Sequence, residues 1–191
     1  MARIAGVARS EASAEVRRVY DWAEHTFGKP LEPLMVLAHH PELFRAYVAF
    51  ERGVESARRL PGRVRSLVEL KVAARIGCPF CLDIGSALAR RGGLDEATLR
   101  GLADHAASDA FSEGEKLALD YAVAATATPV VVPDALLAAL AEHYEPAAAV
   151  ELTALVAWEN FRSRFNHALG IGAAGFSEGA YCVRPEPSMA P

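Results

Sequence analysis

The sequence predicts an all-α protein. Apolar residues recur three and four positions apart along nearly the whole chain, and no stretch sustains the period of two that a half-buried strand requires. Gly and Pro fall between the periodic segments, where helices stop and start. At 191 residues the chain can bury a hydrophobic core without disulfides or a structural metal.

The first helix is expected from near Ser10 to Phe27, with Val16, Val19, Tyr20, Ala23 and Phe27 on one stripe and Gly28-Lys29-Pro30 as its stop. A short segment follows to His39. His40-Pro41-Glu42 then places a proline at the first position of a helix through Phe44, Tyr47 and Val54, with His39 and His40 read as structural. Pro61-Gly62 opens a helix through Val64, Leu67, Val68 and Val72 to Ile76, and Gly77 ends it. Cys78 stands at the N-cap of the next helix and Pro79 at its first position; that helix runs to about Arg90, before Gly92-Gly93. These two form an antiparallel hairpin with the cysteines at its turn.

Asp95 caps a short helix through Leu99 and Leu102, and Ser112-Glu113-Gly114-Glu115 is a capping box for a helix to about Thr126. Pro129 and Pro133 bracket a Val-rich connection. The last two helices span Asp134 to His143 and Pro146 to about Ala168, the second apolar along Val150, Leu152, Leu155, Val156, Phe161 and Phe165. No repeat or linker divides the chain, so residues 1–179 are expected as a single all-helical domain. The Gly- and Pro-rich residues 180–191 are expected as a flexible C-terminal tail.

The formal net charge of −4, without runs of like charge, argues against nucleic acid or an anionic membrane as partner. The N-terminus lacks the apolar core of a signal peptide and no apolar run is long enough to span a bilayer, so a cytoplasmic location is expected. In that reducing compartment the three cysteines do not build a disulfide framework, and the close pair Cys78 and Cys81 points to catalysis or metal binding.

Two cysteines three apart on one helical turn face the same way, so their sulfurs can reach disulfide distance without much backbone movement. The helix N-terminus favours a thiolate there, the species that attacks peroxides and disulfides. Buried inert thiols remain an alternative. Zinc would need two further ligands, and the chain has no second CxxC or HxxxH pair; Cys182 and His167 could serve only if the fold brought them together. A thioredoxin-like reading lacks its βαβ context. No cofactor is expected.

The run Leu67-Val-Glu-Leu-Lys-Val-Ala-Ala-Arg-Ile-Gly-Cys-Pro-Phe-Cys-Leu-Asp-Ile-Gly-Ser86 resembles the core motif of the carboxymuconolactone decarboxylase/alkylhydroperoxidase D superfamily. Leu37-Ala-His-His-Pro-Glu-Leu43 and Asn160-Phe-Arg-Ser-Arg-Phe-Asn-His-Ala-Leu-Gly170 are similar to segments of its longer members, extending the likeness over about residues 30 to 172. The resemblance implies an alkylhydroperoxidase D-like helical fold and a homo-oligomer, whether dimer, trimer or hexamer. In the peroxidase branch it implies a CxxC that reduces hydroperoxides and is re-reduced by a partner dithiol protein. It also implies Cys81 as nucleophile and Cys78 as resolving thiol, although the helix-end argument alone favours Cys78.

The same branch has a relay glutamate about three turns before the first cysteine and a relay histidine one turn after the second. Here those positions hold Ser66 and Gly85, so peroxidase turnover by the usual relay is expected to be weak. Glu69 is the substitute candidate: if the hairpin folds about Gly77 it stands level with Gly85, where the missing side chain leaves space for a carboxylate or water beside Cys81. Asp83 reads as an exposed helix residue. His167 belongs to a polar cluster with Arg162, Arg164 and Asn166 and is the other catalytic candidate; Trp158 and Glu159 are given no chemistry.

The leading reading is a thiol-dependent antioxidant oxidoreductase using Cys81, Cys78, Glu69 and His167. A decarboxylase-branch enzyme would instead hold a small lactone or carboxylate with His167, Arg164 and Glu69. A third reading is a non-catalytic oligomeric binding protein. The long Ala- and Leu-rich helices expose more apolar faces than one core hides, which also favours a homo-oligomer.

Overall fold

A computed structural model describes residues 2–186 as helices joined by turns, with no strand among them. Its backbone contacts divide the chain into two compact units, residues 2–56 with 168–171, and residues 57–167 with 172–186.

The first unit holds α1 (Ala14–Phe27), α2 (Glu32–Leu37) and α3 (Pro41–Ser56). Ser13 caps α1, a little after the expected start near Ser10, accepting the Val16 N–H at 3.3 Å. Gly28 closes that helix at φ +79°, a conformation open to glycine. Val16, Tyr20 and Ala23 are buried as the stripe predicts. α3 begins at Pro41 and buries Phe44. His39 bonds the Ala5 carbonyl and His40 the Glu42 carboxylate, both structural contacts.

The second unit carries the cysteines. In it α4 (Gly62–Ile76) and α5 (Pro79–Arg91) pack against each other across the Gly77–Cys78 turn, α7 (Glu113–Thr126) packs on α4, and α8 (Asp134–His143) on α7. α6 (Glu96–Gly101) is capped by Asp95 and runs into a 3₁₀ turn, Leu102–Asp104. The Ser112/Glu115 capping box forms as expected. α9 (Pro146–Ala168) is tied to α4 by Arg162, to α5 by Asn166 and to α7 by Asn160 and Thr153. Leu67, Leu70, Leu82, Leu99, Leu102, Leu119, Leu152 and Leu155 fill the core.

Two sequence expectations need correction here. Asp83 is buried, not exposed: its carboxylate accepts the N–H groups of Ala174, Phe176 and Ser177 at 2.7 to 3.0 Å, pinning the turn after α9 onto α5. Burial alone would raise the pKa of this acid, but the backbone donors outweigh it and hold it below the ordinary carboxylate value. The flexible tail from residue 180 does not describe residues 181–186. Val183 donates to Ser86, the Glu186 N–H donates to Ala74, and the Glu186 carboxylate pairs with buried Lys71 and with Arg75. Such partners supply what the Gly- and Pro-rich composition hides. The rest of the expected tail, residues 187–191, lies outside the described residues.

Candidate active site

The local sequence builds the dithiol as a helix start. Gly77 turns the chain out of α4 at φ +78° and Cys78 adopts the extended N-cap conformation. Pro79 takes the first helical position, where its missing N–H costs nothing. Cys81, one turn on, donates its backbone N–H to Cys78 Sγ at 3.3 Å, and the two sulfurs lie 2.8 Å apart as free thiols.

The sulfurs are not equivalent. The hydrogen bond between the two thiols is the largest cause lowering the Cys78 pKa; burial opposes it and the Cys81 N–H assists it. Cys81 is pushed well up, first by that same bond, then by burial and by the negative charge of Glu159. Ionisation is therefore easier at Cys78 than at Cys81, while Cys81 is the less covered of the two, at 8 % exposure against 0 % for Cys78.

Glu159 is the residue the sequence reading passed over. It lies on α9, buried, and accepts the Ser163 hydroxyl at 2.7 Å and Arg162 Nη2 at 2.5 Å. Burial raises its pKa; Arg162 opposes this, the Glu69 charge adds to it, and hydrogen bonds from Ser163 and Cys81 work against it. Glu159 and Cys81 lie near enough for each to perturb the other's proton affinity. On the same face of α9, Asn166 Nδ2 donates to Cys81 Sγ at 3.4 Å. A buried carboxyl whose affinity for protons is raised, next to a thiol, is of the kind that exchanges protons with it.

The other sequence candidates sit differently. Glu69 accepts Arg162 Nη2 at 2.7 Å and so shares a guanidinium with Glu159. The space at Gly85 is occupied by Leu70: a Cβ there would stand 3.0 Å from Leu70 Cδ2. Ser66 is half-buried on α4. His167 follows Asn166 but is exposed, and Arg164 is engaged by Asn160 and the Thr126 carbonyl, so His167, Arg164 and Glu69 do not form one hydrogen-bonded group. Among the described residues no three His, Cys, Asp or Glu side chains gather as metal ligands.

The Leu70 contact makes a prediction. Gly85→His, which would write the relay histidine back into α5, is expected to overpack against Leu70 and cost about 1–3 kcal/mol. Urea unfolding measures the cost directly, and an unchanged midpoint would show that Leu70 yields freely.

Comparison with known proteins agrees with this architecture. The chain is 40% identical to YnjA of Escherichia coli (strain K12) over 151 residues, covering 78% of this chain and 82% of that protein. Its fold is similar to the debrominase Bmp8, at TM-score 0.82 and 21% identity over 91% of this chain and 92% of that one. It is likewise similar to the alkylhydroperoxidase AhpD core of a peroxidase-related protein from Ralstonia eutropha JMP134, at TM-score 0.83 and 19% identity over 92% and 94% of the two chains. The model of the carboxymuconolactone decarboxylase family matches residues 41–124, which include both cysteines. With the dithiol hairpin, the AhpD-like helical fold and these matches together, the chain belongs to the carboxymuconolactone decarboxylase family.

Proposed function

We propose that the protein is a thiol-dependent oxidoreductase that reduces small hydroperoxides, with Cys81 as nucleophile, Cys78 as resolving thiol and Glu159 as the acid-base group. One observation carries this reading: the Cys81 thiol lies 2.8 Å from Cys78 Sγ at the start of α5, with the buried Glu159 carboxylate close enough to raise its pKa. Cys81 gives its proton to Glu159 and attacks the terminal oxygen of ROOH. The O–O bond breaks, an S–O bond forms, sulfur loses two electrons, and the departing RO⁻ takes the proton back from Glu159. The Cys78 thiolate then attacks the Cys81 sulfenic acid, giving a disulfide and hydroxide, which is protonated to water. An external dithiol returns the pair to its starting state by two exchange steps and is itself oxidised to a disulfide. Within this scheme Glu69 is a positioning residue, its ion pair with Arg162 holding the guanidinium against Glu159. His167 stays outside the chemistry.

The test is peptide mapping after one equivalent of hydroperoxide. A Cys78–Cys81 disulfide is expected, with Cys182, whose thiol pKa is raised by burial, left reduced. Oxidation confined to Cys182 would remove the reading.

The second unit also exposes apolar side chains that favour self-association: Val130, Val131 and Leu137, and on α9 Val150 and Phe161, which depart from the buried stripe expected of them. A homo-oligomer is expected by light scattering at micromolar concentration, and a monomer would contradict it.

A further inference from the structure

We propose that Asn166 is a substrate-binding residue whose side-chain oxygen accepts the terminal O–H of a peroxide, so that the site selects electrophiles carrying a hydrogen-bond donor on the attacked atom. The inference rests on the thiol reading above and adds to it a specificity group.

Asn166 is 3 % exposed, and its Oδ1 is buried with no hydrogen-bond partner among the described residues. A buried acceptor left unsatisfied is destabilising, so a protein seldom keeps one without a use for it. Its place is particular: the other end of the same amide donates to Cys81 Sγ at 3.4 Å. The amide orientation follows from the sulfur. Sγ receives the Nδ2–H, so the donor end of the amide is spent on the sulfur. Oδ1 is thereby turned away from the sulfur while staying next to it.

A group that fills this acceptor must bring a donor hydrogen alongside the atom that sulfur attacks. Hydrogen peroxide and alkyl hydroperoxides do so, because the terminal oxygen that bonds to sulfur carries the hydrogen. Disulfides and dialkyl peroxides carry no hydrogen on either reacting atom and would leave Oδ1 unpaired. One side chain then aligns both partners, Nδ2 holding the thiolate and Oδ1 the oxygen, a positioning device of the kind that lowers the barrier by orientation.

The experiment compares single-turnover oxidation of the reduced full-length protein by tert-butyl hydroperoxide and by dimethyl disulfide, followed by loss of free thiol. Asn166→Leu removes both amide functions: both rates fall as the N–H to sulfur is lost, but the hydroperoxide-to-disulfide ratio is expected to fall about tenfold further. Asn166→Asp, which keeps oxygen acceptors and loses the donor, is expected to retain the wild-type ratio at a reduced absolute rate. Should Asn166→Leu fail to fold by circular dichroism, Asn166→Ala reads the same ratio. An unchanged ratio in the apolar variant would overturn the proposal and leave Asn166 serving the sulfur only. If neither reagent oxidises the wild-type pair, the thiol reading itself fails, an outcome distinct from the other two.

Discussion

Cys81→Ser is expected to reduce hydroperoxide turnover to the uncatalysed background, whereas Cys78→Ser should consume one equivalent of peroxide and stop at a trapped Cys81 sulfenic acid. The structure sets up a conflict that makes this pair of variants informative. Electrostatics favours ionisation at Cys78, which is bonded to the Cys81 thiol and receives the Cys81 N–H, but Cys78 is fully covered. Cys81 is the less covered of the two, yet its pKa is raised. Access decides first, because a nucleophile that cannot be approached has no rate, whereas a raised pKa is overcome by passing the proton to Glu159 during the attack. Dimedone labelling of each variant after one equivalent of peroxide reads the answer: a label on Cys81 in Cys78→Ser supports the assignment. A label on Cys78 in Cys81→Ser, formed at an undiminished rate, would reverse it.

Much of this site was legible in the sequence, and what was missed has a physical reason. The helix-Gly-Cys-Pro-x-Cys-helix turn could be read because each residue there answers a local rule: glycine at the left-handed position, a cap, and proline where no N–H is needed. The Gly85 space could not, because which side chain of a neighbouring helix fills a gap is a packing outcome, and Leu70 takes it instead of Glu69. Glu159 left a signal that went unused. Leu152, Leu155, Val156, Glu159, Ser163 and Asn166 all lie on the buried stripe of α9, at the three- and four-residue spacing used for its apolar part. Polar residues that continue a buried stripe require partners inside the fold. The polar cluster at its end was noticed, but the titratable residue, His167, was preferred over the one on the stripe, Asn166. Asp83 was misread for a related reason, since its backbone partners come from a segment more than ninety residues away in the chain.

Glu159→Gln is expected to slow hydroperoxide reduction by about 10²–10⁴-fold near neutral pH, the usual weight of a lost general base, and to change the shape of the pH profile. Two effects of the substitution oppose each other. Removing the negative charge relieves part of what raises the Cys81 pKa, which by itself would enrich the Cys81 thiolate and speed the reaction. Losing the proton acceptor slows both the attack and the protonation of the departing RO⁻, and because the amide cannot take up a proton at any accessible pH this loss is complete. If Glu159 were only a repelling charge the first effect would stand alone and the variant would be faster than the wild type; if it is the acid-base group, the variant is slower. The pH profile carries the sign. The carboxyl must be ionised to accept the proton, and its pKa is raised, so the wild-type rate should climb with pH through a limb above the ordinary glutamate range. In Glu159→Gln that limb disappears, and the rate keeps rising toward the alkaline region where Cys81 ionises unaided. The gap between the two proteins should therefore be widest near neutrality and narrow as pH increases. Glu69→Gln, which weakens the ion pair with Arg162 and leaves Glu159 in place, should shift the wild-type limb while retaining it. A Glu159→Gln variant as fast as the wild type at neutral pH, with the acid limb intact, would exclude the carboxyl from the proton transfer.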